Sequence, residues 1–201
     1  AKRDFPPAMN NLALLYAGEA LGAPNPKKAV KWFRKAADLG YALAQWNLAR
    51  HLRSGEGVTP NEEEVIEWTK KAAEQGVAPA QNNLGICCSD GRGMEADETK
   101  AVEWFRKAAE QGHAQAQYNL GWMYAYGKGV PQDYGKAVYW YKLSADQGHA
   151  QAQHNLGVVY DNGQGVIQNH KEAAKWYGLA AEQGEADAQF NLGLMYAYGK
   201  G

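Results

Sequence analysis

The sequence predicts an all-α fold, a solenoid of stacked helix pairs, and three observations carry that expectation. The dipeptide Asn-Leu occurs six times, at Asn11-Leu12, Asn47-Leu48, Asn83-Leu84, Asn119-Leu120, Asn155-Leu156 and Asn191-Leu192, each copy 36 residues after the last. A fixed period in this range marks supersecondary units that cannot bury their apolar faces alone and stack to do so. Within each period, two stretches carry apolar residues at the spacing of one helix face. A Gly-x-Gly connection stands between them, followed by a residue suited to start a helix. The period divides the chain into repeats 5–40, 41–76, 77–112, 113–148 and 149–184 and a partial repeat 185–201, read together as one solenoid domain over 1–201.

Repeat 113–148 justifies the elements in order. Ala116, Leu120, Met123 and Tyr124 fall at i, i+4, i+7 and i+8, one face of an α-helix. Gly121 interrupts that helix, and Gly85, Gly157 and Gly193 hold the same register. A helical glycine costs about 1 kcal/mol against alanine, so the missing Cβ is expected to let a neighbouring helix come close. In the connection, Gly127 and Gly129 suit the left-handed conformation that ends a helix, as do Gly91 and Gly93 or Gly163 and Gly165. The apolar residue after each pair (Val58, Met94, Val130, Val166) is expected to fold back onto the helix just ended. Asn25, Asn61, Asp97, Asp133 and Asn169 follow as helix N-caps. Asn61 with Glu64, and Asn169 with Glu172, have capping-box spacing. A phosphate loop would need a preceding strand and a third glycine, and the sequence offers neither.

The second helix of the repeat carries Ala137, Val138, Tyr141, Ser144 and Ala145 as its stripe, with Trp140 beside it. Trp32, Trp68, Trp104, Trp140 and Trp176 recur every 36 residues and read as framework. Paired alanines such as Ala36-Ala37 and Ala72-Ala73 predict tight helix contacts. Two places depart from the pattern. Gly18-Glu19-Ala20-Leu21-Gly22-Ala23-Pro24 replaces Gly-x-Gly, so that loop is expected to differ in shape. Cys87-Cys88-Ser89-Asp90 replaces Met123-Tyr124-Ala125-Tyr126, so Cys88 predicts a smaller or differently filled core.

Composition narrows the functional classes. With 21 basic and 22 acidic residues the net charge is −1, which provides no long-range field for nucleic acid or an anionic membrane. No apolar run approaches the roughly 20 residues of a membrane span, and the basic start at Lys2-Arg3 has no apolar stretch behind it, so no signal peptide is expected in this chain. The compartment stays open. Cys87 and Cys88 are neighbours that cannot staple distant elements. His113 and His149 stand one repeat apart, and His51, His154 and His170 lack ligand spacing, so neither metal nor cofactor is expected. A nucleophilic Cys87 paired with His51 would need an oriented base and an oxyanion site. A buried structural thiol is the favoured reading, and a non-enzyme the expectation.

The segment Ala-Gln-Tyr-Asn-Leu-Gly-Trp-Met-Tyr (116–124), Gly-Lys-Gly-Val (127–130), Asp133, Lys136-Ala137-Val138, Trp140-Tyr141, Ala145 and Gly148 resembles the Sel1-like repeat, a relative of the tetratricopeptide repeat. The resemblance covers nearly the whole chain. It implies a right-handed α-solenoid of antiparallel helix pairs whose first helices line a concave groove, in a family of adaptors that gather other proteins. By register, it puts Trp46, Asn47, Arg50, Arg53 and Ser54 on that groove, then Tyr118, Asn119, Trp122, Ala125 and Tyr126. The later repeats add His154, Asn155, Val158, Asp161 and Asn162, then Phe190, Asn191, Leu194 and Tyr198.

The six asparagines of the Asn-Leu steps then form a ladder, with Asn47, Asn83, Asn119 and Asn155 as the candidate binding amides, each able to donate to and accept from a peptide backbone. The same amides could instead bond the neighbouring repeat. Trp46, Tyr118, Trp122 and Tyr126 offer rigid contact area, and His154 shares their register. Arg50 and Arg53 are cations at positions where no other repeat has one, suited to holding a carboxylate. The expected function is a non-enzymatic scaffold that binds a peptide or partner protein. The alternative is a spacer or self-associating fragment of a longer array, because Leu192, Met195 and Tyr196 lie on a last helix with no second helix of its pair to cover them.

Overall fold

The computed structural model describes residues 5–18 and 23–200, and among them are eleven α-helices and no strand. The helices are α1 (Pro6–Ala17), α2 (Pro26–Asp38), α3 (Ala42–Ser54), α4 (Glu62–Glu74), α5 (Ala78–Asp90), α6 (Glu98–Glu110), α7 (Ala114–Tyr126), α8 (Tyr134–Ala145), α9 (Ala150–Asn162), α10 (His170–Glu182) and α11 (Ala186–Ala197). Odd-numbered helices are the first, or A, helix of each repeat, and even-numbered ones the B helix. The chain forms two compact units, Ala1–Ala96 with α1–α5 and Asp97–Gly201 with α6–α11. In each unit every helix packs on the next. Lesser contacts join α1 to α3 in the first and α9 to α11 in the second. That is the packing of a stack of helix pairs, the α-solenoid class, rather than of a bundle around one core.

The helix boundaries follow the expected local chemistry. Asn25, Asn61, Asp97, Asp133 and Asn169 each accept the backbone N–H three residues on, at 2.9–3.2 Å. The capping boxes do not form. Glu64 spends its carboxylate on Arg34 and on the indole N–H of Trp68, 3.1 Å away. The N–H of Asn169 donates to the Tyr160 carbonyl at 2.9 Å. Tertiary partners outbid the local ones.

Gly127 ends α7 in the left-handed region at φ 65°. Gly129, also at φ 65°, does something the sequence pattern did not disclose. A Cβ there would run into the backbone of Glu98 and Thr99 at the start of α6, the B helix one repeat back. At the same register, a Cβ on Gly57 would lie 2.5 Å from the backbone of Pro26 and Lys27. The second glycine therefore lets the connection cross closely over the preceding B helix. In the first repeat, Gly18 closes α1 with extended rather than left-handed backbone, and residues 19–22 of that loop lie outside the described residues.

Inside the pairs, the mid-helix glycines make room for aromatic rings. A Cβ on Gly121 would sit 2.7 Å from Cδ1 of Tyr141, a ring only 2% exposed, and one on Gly157 would strike the ring of Tyr177. The alanine pairs of α2, α4 and α6 are buried as expected. Trp68 and Trp176 are buried, while Trp32, Trp104 and Trp140 are half-buried. Lys35, Lys71 and Lys107 lie 4.6, 4.2 and 4.1 Å from the ring centres of Trp32, Trp68 and Trp104. Met94, in place of the valine of other connections, fills the space left by Cys88, its Sδ 3.5 Å from the Cys88 sulfur.

A buried amide series ties successive repeats together. Gln45, Gln81, Gln117 and Gln153 donate from Nε2 to the carbonyls of Ala37, Ala73, Ala109 and Ala145, at 3.1–3.3 Å. Each acceptor lies in the last turn of the preceding B helix, where carbonyls lack intrahelical partners. The side-chain oxygens of Gln45, Gln117 and Gln153 accept in turn from Gln75, Gln147 and Gln183, each at 2.7 Å and just past the end of the next B helix.

The two kinds of helical glycine predict opposite effects of one substitution. Gly121→Ala should lower stability by about 1–3 kcal/mol, because a Cβ overpacks against Tyr141. Gly178→Ala, at a site in α10 with nothing within 4 Å of its Cβ, should raise it by about 0.5–1 kcal/mol. Urea denaturation followed by circular dichroism gives both values, and a stabilised Gly121→Ala variant would contradict the close-packing account.

Candidate peptide-binding surface

The structure brings five of the residues expected from the sequence, Ser54 among them, into one groove. Trp46, Arg50 and Arg53 stand at i, i+4 and i+7 on α3, and with Asn83 of α5 they border a groove of about 420 Å³. Trp46 is half-buried, whereas Arg50 and Arg53 are exposed. Neither guanidinium has an ion pair or hydrogen bond among the described residues. His51, Ser54 and Glu56 complete the lining. His51 donates from Nδ1 to the Asn47 carbonyl at 2.9 Å, which leaves Nε2 facing Glu56 at 3.8 Å. His51 and Glu56 were not nominated from the sequence. Their signal lies in the connection itself, since Glu56 is the middle residue of this Gly-x-Gly.

The asparagine ladder divides by partner. Asn47 donates to the Asn10 side chain at 3.0 Å, and Asn191 donates to Nε2 of His154 at 3.1 Å, each partner 37 residues back. Asn155 is hydrogen-bonded to the hydroxyl of Tyr118, again 37 residues back, and to that of Tyr141. Asn119 accepts from Gln115 at 3.2 Å. At Asn83 the residue 37 back is Trp46, and the Asn83 amide has no hydrogen-bond partner among the described residues. The indole has replaced the group that pairs this amide elsewhere.

The remaining nominees lie in the second compact unit and do not form a single site. Tyr118 stacks on His149, ring centres 4.9 Å apart, and burial raises its hydroxyl pKa. Trp122 and Tyr126 lie against each other at 4.9 Å and are 36% and 62% exposed. Tyr126 also borders a cleft of about 250 Å³ with Tyr134, Tyr141, Asn155 and Asn162, and no charged side chain lines it. His154 is occupied by Asn191 and lies 5.7 Å from the Tyr177 ring. Ala125, placed on the groove by register, is buried, and Asp161 is held by His170 at 2.8 Å. On α11, Phe190, Leu194 and Tyr196 are exposed, as is Tyr198 just past its end.

The cysteine is not set up as a nucleophile. Cys87 is 6% exposed, and burial pushes its thiol pKa up against the weaker opposing influence of Arg53 and Arg92. It opens onto a separate cleft of about 160 Å³ bordered by Leu52, Arg53, Val65 and Arg92. His51 lines the other groove, so the two do not face a common space. Among the described residues there is no cluster of His, Cys, Asp and Glu suited to a metal ion. Nor is any described helix long and apolar enough to cross a membrane.

The Sel1 repeat family model matches residues 6–41, 42–77, 78–113, 114–149, 150–185 and 186–201. The chain belongs to the Sel1 repeat family. Among solved structures, a Sel1 repeat protein from Oxalobacter formigenes is 37% identical, with a TM-score of 0.87 over 98% of this chain and 80% of its own. A protective antigen present in uropathogenic Escherichia coli strains, displaying an SLR fold, is 36% identical with a TM-score of 0.90. The Sel1 chain covers 42% of that antigen's length and is itself covered over 98%. An immunity protein from Pseudomonas aeruginosa, 24% identical with a TM-score of 0.56, covers 91% of this chain over 67% of its own and shares the fold alone. No curated protein matches the chain. Sel1 repeat solenoids are generally protein-interaction scaffolds and generally non-enzymatic.

Two histidines give this scaffold a pH dependence. His113 and His149 cap α7 and α9, their Nδ1 atoms accepting the N–H of Ala116 and Ala152 at 3.2 Å, which requires unprotonated rings. His149 also meets the Gln115 side-chain oxygen through Nε2 at 2.9 Å. Burial holds both imidazoles below their ordinary pKa. As pH falls the unfolded chain takes up these protons first, so their contribution to stability is complete above about pH 6.5, the unfolded value. It is lost as the pH falls through that value toward the lower folded one. Thermal unfolding between pH 8 and 5 should show the decline, and the His113→Asn/His149→Asn variant, whose caps do not titrate, should show a smaller one.

Proposed function

We propose that this Sel1 repeat chain is a non-enzymatic scaffold that holds an extended peptide segment of a partner protein on the face formed by its A helices. The observation that carries the reading is the α3–α5 groove, where a half-buried indole shares one opening with two guanidiniums and an amide that have no partner among the described residues. An amide with donor and acceptor free matches a peptide backbone whatever its sequence. The indole adds rigid contact area at little entropic cost. The repeats supply preorganisation: side chains stand at spacings fixed by stacked helices, so little order is lost on binding.

Peptides selected from a random displayed library test the reading. Substituting Trp46 and Asn83 together by alanine should weaken the selected peptides at least about tenfold, the loss of roughly 1.4 kcal/mol. Tyr139→Ala, which removes an exposed ring from a B helix, should leave them unchanged. Equal affinity for the groove variant, with its helical circular dichroism intact, would refute the A-helix face as the binding surface.

A further inference from the structure

We infer that the α3–α5 groove is selective for acidic peptide segments, whose side-chain carboxylates Arg50 and Arg53 hold while the Asn83 amide engages the backbone. This rests on the peptide-binding reading and adds the chemical class of the ligand.

The arginines of the described residues separate cleanly by partner. Arg34 is paired with Glu64, Arg92 binds Asp90 at 2.6 Å, and Arg106 donates to the Tyr124 hydroxyl at 2.9 Å. The two that hold no oxygen, Arg50 and Arg53, are the two in the groove. They stand one turn apart on the same helix, so their charges repel, and among the described residues neither has a carboxylate within ion-pair distance. Glu56 is the one carboxylate in the lining; it lies 3.8 Å from Nε2 of His51 and pairs with neither arginine. A planar guanidinium presents paired N–H donors that fit a carboxylate with two parallel hydrogen bonds.

The number of cations favours side-chain carboxylates over a chain terminus. A terminus brings a single carboxylate and leaves one guanidinium unmatched. An extended acidic strand presents carboxylates in succession on one face, since alternate side chains share a side. A further side chain on that same face of the strand can lie on the Trp46 indole. Charge therefore selects the segment, and the indole and amide hold it.

The test uses the 201-residue chain and a fluorescein-labelled peptide alternating Asp or Glu with Leu, blocked at both ends, with fluorescence anisotropy as readout. Binding should weaken as salt is added, because the exposed guanidiniums act through screened charge. Arg50→Gln and Arg53→Gln should each weaken it about 5- to 10-fold. Lys171→Gln, which removes one positive charge on α10, should not. Both arginines are exposed, so the variants should fold, as circular dichroism would verify.

Three results would overturn the inference. Equal binding of an Asn/Gln-for-Asp/Glu peptide, insensitive to both arginine variants but lost in Trp46→Ala, would retain peptide binding and remove the acidic preference. Binding only of peptides with a free C-terminal carboxylate would assign the arginines to a chain end. Binding indifferent to Trp46→Ala, Asn83→Ala and both arginine variants would remove the groove from function altogether.

Discussion

Each buried glutamine of the A helices holds neighbouring helices in a fixed relation, and the remaining geometry depends on that relation. Gln117, for example, sits on α7, donates to the Ala109 carbonyl at the end of α6 and accepts from Gln147 beyond the end of α8. An amide buried without partners costs about 1–3 kcal/mol. Both bonds are made only when the helices stand at one mutual position. Alanine, which makes up much of the core, has too short a side chain to interlock and would by itself tolerate sliding. The glutamines remove that freedom, and the spacing of side chains on the A-helix face follows from it.

Fixing the helices this close creates a steric problem that glycine resolves twice in each full repeat of the second unit. Within a pair, Gly121 and Gly157 admit the rings of Tyr141 and Tyr177. Between repeats, Gly129 and Gly165 let the connection pass over the backbone of the previous B helix. The conformational cost of glycine is therefore offset by apolar burial at the first position and by close backbone approach at the second. Tyr141 illustrates the consequence: burial strongly disfavours its phenolate and raises its pKa, while its hydroxyl reaches Asn155 on the next A helix. One ring thus joins the packing of its own pair to the polar ladder of its neighbour.

The parts of the fold set by local chemistry could be read from the sequence, and the parts set by contacts a repeat away could not. The five N-caps and the left-handed helix ends needed only a few consecutive residues, and they stand where expected. Capping boxes were also a local expectation, but Arg34 lies 30 residues from Glu64 and, with the indole of Trp68 one turn on, takes up its carboxylate. The second glycine of a connection looked like part of a helix stop, since at Gly57, Gly129 and Gly165 the clash is with backbone 31 residues earlier. Periodicity placed the glutamines beside the core stripe without naming their acceptors. In the groove, Arg50, Arg53 and Trp46 stood out as departures from the repeat. That Asn83 joins them could not be read, because every repeat carries the same asparagine.

The difference at Asn83 lies in its partner rather than in itself. Where the residue 37 positions back is Asn10, Tyr118 or His154, it offers a polar atom, and the ladder amide is spent on joining repeats. Where it is Trp46, the bond is absent and the amide is left at the edge of an opening. A solenoid can sustain this change because its stability is a sum over repeats and their interfaces. One missing hydrogen bond, worth about 1 kcal/mol, is small beside the glutamine bonds that still join Gln45 to Gln75 and to the Ala37 carbonyl in the same unit. The repeated bonds carry the load, so a single repeat is free to give one up. Regularity thereby becomes the condition for a specific surface: a position that is structural in most repeats can turn outward in one, and the substitution that frees it places an aromatic ring beside the freed group.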